Sequence, residues 1–160
     1  VPEVKFSRSI DKVRKQILEA IIKQGVKIVV LAVDRQNRRI ADTPENYGIV
    51  VGFAASESLR QYPALALTVD KKFTKESDNR EMEDTALRVV SRQVKKGMLS
   101  FRPPANSQSE VLIQAADFIA GAMNYKYNLN DPSYWEIIKG SIVSEKKDKW
   151  TEMKATTKKE

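Results

Sequence analysis

The sequence predicts an α/β domain built on a mainly parallel central sheet flanked by helices. Residues 26–33 and 64–69 are short, nearly continuous apolar runs, as in strands covered on both faces, and they end on Asp34 and Asp70. Around them apolar residues recur at helical spacing, so strands and helices alternate, which is the order that right-handed crossovers between parallel strands require. A chain of 160 residues can support one domain with its own core.

Each element has a local reason. Ser9 precedes Ile10, Val13, Ile17 and Ile21, an N-cap before an apolar stripe, and Gly25 supplies the stop. The first strand then runs to Asp34, followed by the basic loop Arg35-Gln36-Asn37-Arg38-Arg39. Thr43-Pro44 is an N-cap with proline at the first helical position, and Tyr47, Val50, Val51, Ala54, Ser58, Leu59 and Tyr62 line one face before Pro63. The second strand runs out at Asp70, where Lys71 and Lys72 open a polar loop to Asn79. A third helix over residues 80–96 turns Met82, Ala86, Val89, Val90 and Val94 inward, with Gly97 as its C-cap. Residues 98–101 form a short strand and Pro103-Pro104-Ala105-Asn106-Ser107 its turn. Residues 111–123 are apolar nearly all round, the mark of a buried helix. A last helix over residues 133–142 completes a single domain of residues 1–144. The charged segment 145–160 is expected to be a mobile tail, docked at most by Trp150.

Composition narrows the chemistry. There are 28 Lys+Arg against 21 Asp+Glu, a net charge of +7, and neither His nor Cys. That excludes a disulfide scaffold, a Cys/His zinc site, Ser-His-Asp and Cys-His triads and histidine acid–base catalysis. No apolar run approaches the roughly 18 residues of a membrane span, and no secretory pattern opens the chain, so a cytoplasmic protein without a membrane partner is expected. The first residue is Val rather than Met, so a segment is expected to have been removed from the front. Residues 1–39 carry 10 Lys+Arg against 4 Asp+Glu, while the centre is slightly acidic. This distribution suits a protein that grips phosphates and acts on them with metal ions, although solvated helix faces produce the same pattern.

Asp117 is the most informative residue, an ionisable side chain alone in an apolar helix, where it must be paired, protonated or metal-bound. The alternative is a buried hydrogen bond or ion pair. Asp70 stands at the carboxyl end of a strand, where open α/β sheets collect ligands, and Asp34 holds the matching place on the preceding strand, although Asp is also an ordinary turn opener. Together Asp70, Asp117 and Asp34 would form a hard oxygen site for Mg²⁺ or Mn²⁺, suited to phosphodiester chemistry without histidine. Lys71, Lys72, Arg38 and Arg39 lie beside these carboxylates and would steer a nucleic-acid backbone, unless they are simply solvated loop residues. The acidic residues 76–84 are expected at a solvated helix start. The absence of a glycine-rich phosphate loop argues against Rossmann and P-loop nucleotide binding.

The segment Ile113-Gln114-Ala115-Ala116-Asp117-Phe118-Ile119-Ala120-Gly121-Ala122 resembles the "LQ-x-A-D, two apolar residues, A-G-A" helix of the family called domain of unknown function 3800. Thr68-Val69-Asp70-Lys71-Lys72 resembles its central strand end, residues 5–14 its opening helix, and Tyr134-Trp135-Glu136-Ile137-Ile138 its closing one. The resemblance extends over most of the chain to about Ile142 and implies an RNase H-like fold, with Asp70 and Asp117 in an acidic site that takes a divalent metal. The family usually opens with a strand bearing an Asp-Glu-Ser-Gly-like stretch, and nothing before Lys5 matches it, so that strand and its carboxylate are expected to be missing. The resulting expectation is a Mg²⁺- or Mn²⁺-dependent nuclease-like phosphodiesterase. A non-catalytic nucleic-acid-binding or assembly module of the same fold, and a small-molecule phosphohydrolase, remain as alternatives.

Overall fold

The computed structural model of the chain describes residues 3–105 and 110–158. In chain order the elements are a 3-10 turn (Phe6–Arg8), α1 (Asp11–Lys23), β1 (Ile28–Asp34), α2 (Pro44–Gln61), β2 (Ala64–Leu67), α3 (Glu76–Gln93), β3 (Met98–Phe101), α4 (Val111–Asn128), α5 (Ser133–Ile138), a second 3-10 turn (Lys139–Ser141), β4 (Ile142–Lys149) and α6 (Trp150–Thr156). The protein is α/β, and it packs as two compact units. One draws on Val1–Ile28, Val69–Lys71 and Pro104–Val143, the other on Val29–Thr68, Lys72–Pro103 and Ser144–Glu160.

The first unit is helical, with α1, α4 and α5 packed on one another and the first 3-10 turn on α4. Ser9 does not cap α1. Its hydroxyl donates to the Lys5 carbonyl at 2.8 Å, tying down the 3-10 turn, and Ile10 takes the N-cap position without a side-chain bond. Helix α1 buries Leu18 and Ile21, while Ile10, assigned to the apolar stripe, is 68% exposed. Gly25 takes φ 72°, the left-handed conformation expected of a helix stop.

Helix α4 is covered on one face only, contrary to the all-round burial its composition suggested. Ile113, Phe118, Ala122 and Met123 are buried, whereas Val111, Leu112 and Asp117 are exposed. Much of its apolar character comes from alanines, which tolerate solvent at little cost. Phe6 is the keystone of this unit. Its ring meets those of Phe118, Tyr125 and Tyr134 edge-on, with centroids 5.7, 5.5 and 5.3 Å away, and a Cβ on Gly121 would overlap it.

The second unit holds the sheets. Among the described residues there is no single central sheet: β1 pairs with β4, and β2 pairs in parallel with β3, from Ala64 opposite Met98 to Leu67 opposite Phe101. Strand β2 is not covered on both faces either. Leu65 and Leu67 pack on Ala55, Leu59 and Val90, while Ala64 and Ala66 are exposed. Thr43 caps α2 as its sequence requires, its hydroxyl accepting from the Asn46 N–H at 3.1 Å with Pro44 in the first turn. The buried face of α2 runs through Gly48, Ile49, Gly52, Phe53 and Ser56 rather than the expected Tyr47, Val50, Val51 and Ala54, because the two glycines bring α3 close. A Cβ at Gly48 would stand 2.5 Å from the Met82 carbonyl oxygen, and one at Gly52 would stand 2.7 Å from Val89 Cβ. Helix α3 buries Met82, Thr85, Ala86, Val89 and Val90 and ends at Gln93, so Gly97, at φ 146°, serves the turn before β3 rather than the helix end.

Residues 145–156 of the segment expected to be a mobile tail form a strand and a helix. Strand β4 alternates half-buried and exposed positions, and α6 inserts Trp150 and Met153 among Ile49, Phe53 and Val89. Lys154 adds a bond to Asn46 Oδ1 at 2.7 Å and an ion pair with Glu45 at 3.3 Å. Asn106 and Ser107 of the expected turn lie outside the described residues. Among the described residues no helix is long and apolar enough to cross a membrane. Because Trp150 fills a closed cluster, Trp150→Ala is expected to cost about 3–5 kcal/mol in urea unfolding, where loss of a frayed tail would cost nothing measurable.

Candidate functional site

The three candidate carboxylates are held in three different ways. Asp70 is fixed through the main chain of its two neighbours, Val69 and Lys71. It forms a parallel bridge with Ala105, whose N–H donates to the Val69 carbonyl at 3.0 Å and whose carbonyl accepts from the Lys71 N–H at 2.9 Å. The residue itself is exposed. Asp117, also exposed, is fixed through its side chain: Oδ2 accepts from the Phe6 N–H at 3.0 Å. Asp34 serves a turn, its Oδ1 accepting from the Gln36 N–H at 2.9 Å at the start of a loop in which Gln36 and Asn37 have φ of 54° and 59°.

Asp70 and Asp117 belong to the first unit and Asp34 to the second. Among the described residues no group of three or more acidic side chains is placed to hold a metal ion. The isolated carboxylate of α4 is thus neither buried nor paired with guanidinium, and a backbone amide is its partner. Lys71 shares the first unit with Asp70 and is exposed. Lys72, in the second, pairs with Asp42 at 3.1 Å and lies 6.0 Å from the Tyr47 ring centroid. Arg38 and Arg39 are exposed in the loop after β1. The most buried carboxylate, Glu57, is a structural ion-pair centre for Arg60 and Lys146.

Sequence reasoning missed the residue that organises the first unit. Arg14 donates from Nε to the Phe6 carbonyl at 2.9 Å and from Nη1 to the Tyr125 hydroxyl at 2.7 Å. Its guanidinium carbon lies 4.4, 5.2 and 5.8 Å from the ring centroids of Phe6, Tyr125 and Tyr134. It borders an open cleft of about 370 Å³, with Phe6, Ser7, Asp117, Asn124 and Tyr125 in the wall and Ala120 and Gly121 as small residues between. Asp117, Gly121 and Asn124 lie four and then three residues apart, on one face of α4. That spacing was visible in the sequence, but nothing there ties Arg14 to it.

Charge in this cluster is set by hydrogen bonding. The bond to the Tyr134 hydroxyl, above all, raises the Arg14 pKa. The Tyr134 hydroxyl donates to Asp11 Oδ1 at 2.7 Å, and that bond, followed by Lys15, holds the Asp11 carboxyl below its ordinary value of 3.8. Burial, and then Asp11, pushes the Tyr134 phenol up. No family model, curated protein or solved structure matches the chain.

Replacing Asp117 with Ala is expected to lower stability by about 1–3 kcal/mol, because the Phe6 N–H loses its acceptor, while Asn, which keeps a carbonyl oxygen, stays near wild type in the same thermal melts. A carboxyl with a depressed folded-state pKa stabilises fully above its unfolded value, and that contribution fades as pH falls through the folded one. The stability gap between wild type and Asp11→Asn is therefore expected to be constant near neutrality and to shrink as pH drops below about 4, measured by denaturation across pH.

Proposed function

We propose that the chain is a cytoplasmic, nuclease-like phosphodiesterase of RNase H-like fold, dependent on Mg²⁺ or Mn²⁺ and acting on nucleic acid through Asp70 and Asp117. The observation that carries this reading is the grouping of the short segment Val69–Lys71 with the α4 unit, which puts two exposed carboxylates from distant parts of the sequence in one compact body. Asp70 follows a parallel strand, the usual position for ligand residues in α/β proteins. The resemblance of residues 68–72 and 113–122 to the family called domain of unknown function 3800 supports the same pair.

Two carboxylates are a donor set that suits Mg²⁺, which commonly binds one or two of them and completes its shell with water and phosphate oxygens. A divalent ion held there would supply Lewis acidity toward the phosphodiester. The Phe6 N–H on Asp117 fixes the rotamer of that carboxylate without neutralising it, and Lys71 beside Asp70 offers a cation to the approaching strand.

One observation favours a second reading, a nucleic-acid-binding module without catalysis: Asp117 already has a structural partner, and among the described residues no third carboxylate joins the pair. Metal dependence separates the two. The catalytic reading expects Mn²⁺ to raise the melting temperature, the rise to vanish in Asp70→Asn, and oligonucleotide cleavage to vanish with it. Indifference to Mn²⁺, with oligonucleotide affinity falling steeply as salt rises, would establish the binding module instead. Turnover of model phosphate esters but not oligonucleotides would move the substrate to small molecules.

A further inference from the structure

The cleft beside α4 holds a cation, Arg14, that has no ion-pair partner among the described residues, and one carboxylate, Asp117, bonded to the Phe6 N–H. Arg14 is half-buried, and its hydrogen bonds go to neutral oxygens, the Phe6 carbonyl and the Tyr125 and Tyr134 hydroxyls. Among the described residues no carboxylate pairs with it. Asp11, whose charge it feels, is engaged by Tyr134 and Lys15. A partly desolvated charge normally acquires a counter-ion, and a guanidinium, with five N–H donors, retains some after giving three. Three aromatic rings and three hydrogen bonds hold this one rigid, so little side-chain freedom is left to lose on binding. Ser7 and Asn124, both exposed, add a hydroxyl and an amide to the same cleft.

We infer that this cleft binds a phosphate group of a nucleic-acid strand, with Arg14 supplying the charge and Ser7 and Asn124 hydrogen bonds at the rim. The inference rests on the nucleic-acid reading for the source of the phosphate; the chemistry recognised is a phosphate oxyanion. Asp117 does not block it. Asn124 lies seven residues further along α4, about 10 Å by helical rise, so the rim contact stands apart from that carboxylate, while Arg14, bonded to the carbonyl of the same Phe6 whose N–H meets Asp117, supplies the opposing positive charge. A phosphate at the Arg14 end would register the strand relative to Asp117, a positioning role separate from metal binding.

The test uses the whole chain in EDTA at low salt, with a labelled single-stranded oligonucleotide read by anisotropy and inorganic phosphate as competitor. Asn124→Asp puts a negative charge at an exposed rim position and is expected to weaken binding by about tenfold or more while leaving the melting temperature unchanged. Arg14→Lys, which keeps the charge but loses the planar fork, is expected to weaken it as well, and its fold is checked by circular dichroism. Oligonucleotide binding that phosphate competes away and Asn124→Asp weakens supports the inference in full. Phosphate binding with the same sensitivity, but none of the oligonucleotide, supports the cleft and refutes the nucleic-acid reading. Oligonucleotide affinity identical in wild type and Asn124→Asp, or no binding of either probe, overturns the inference, and the Mn²⁺ response of Asp70 then judges the catalytic reading separately.

Discussion

The seating of Phe6 is the constraint on which the first unit depends. Its ring occupies space that only glycine at position 121 leaves open, its N–H is taken by Asp117, and its carbonyl is taken by Arg14. A three-residue 3-10 turn has almost no stability of its own. Here its first residue is bound through all three of its functional parts, to three different helices, α1, α4 and α5. The same bonds shape the cleft, because Phe6, Arg14 and Asp117 all form its wall. Stability and candidate chemistry in this unit therefore cannot be separated by distance.

Asp117 stands where those two demands meet. A backbone N–H orients a carboxylate yet leaves its charge, whereas a guanidinium partner would have cancelled much of it. Asp70 has the complementary arrangement, held by the bonds of its neighbours Val69 and Lys71 to Ala105 and itself exposed. Asp34, like Asp117, accepts from a backbone N–H, that of Gln36 in the turn that follows β1, but it belongs to the second unit. Behind the cleft, Arg14, Tyr134, Asp11 and Lys15 form a chain in which each charge is met by a hydrogen bond.

What could be read from the sequence was local. Thr43-Pro44 and Gly25 act through their own backbone chemistry, so a few neighbouring residues suffice to identify them. The oddity of Asp117 was equally plain, but its answer was a backbone amide 111 residues away, which no spacing rule reveals. Alanine blurred the reading of burial in β2 and α4, since it looks apolar to a pattern and tolerates water in a fold. Strand β4 was hidden because its half-buried positions are Ile142, Ser144, Lys146 and Asp148, a period of two written mostly in polar letters. Arg14 is one of 10 basic residues in the first 39, and what distinguishes it is its seat among Phe6 and two tyrosines from beyond residue 120.

The glycine pair of α2 also limits how the second unit can move. Met82 and Val89 sit over Gly48 and Gly52, so sliding α3 along α2, or rolling it by one residue, would press it against Ile49 or Phe53 instead. The two helices are thus locked in one register, like meshed gears with a single matching tooth. Any breathing of this unit must carry them together and find its hinge in the loops that enter and leave them.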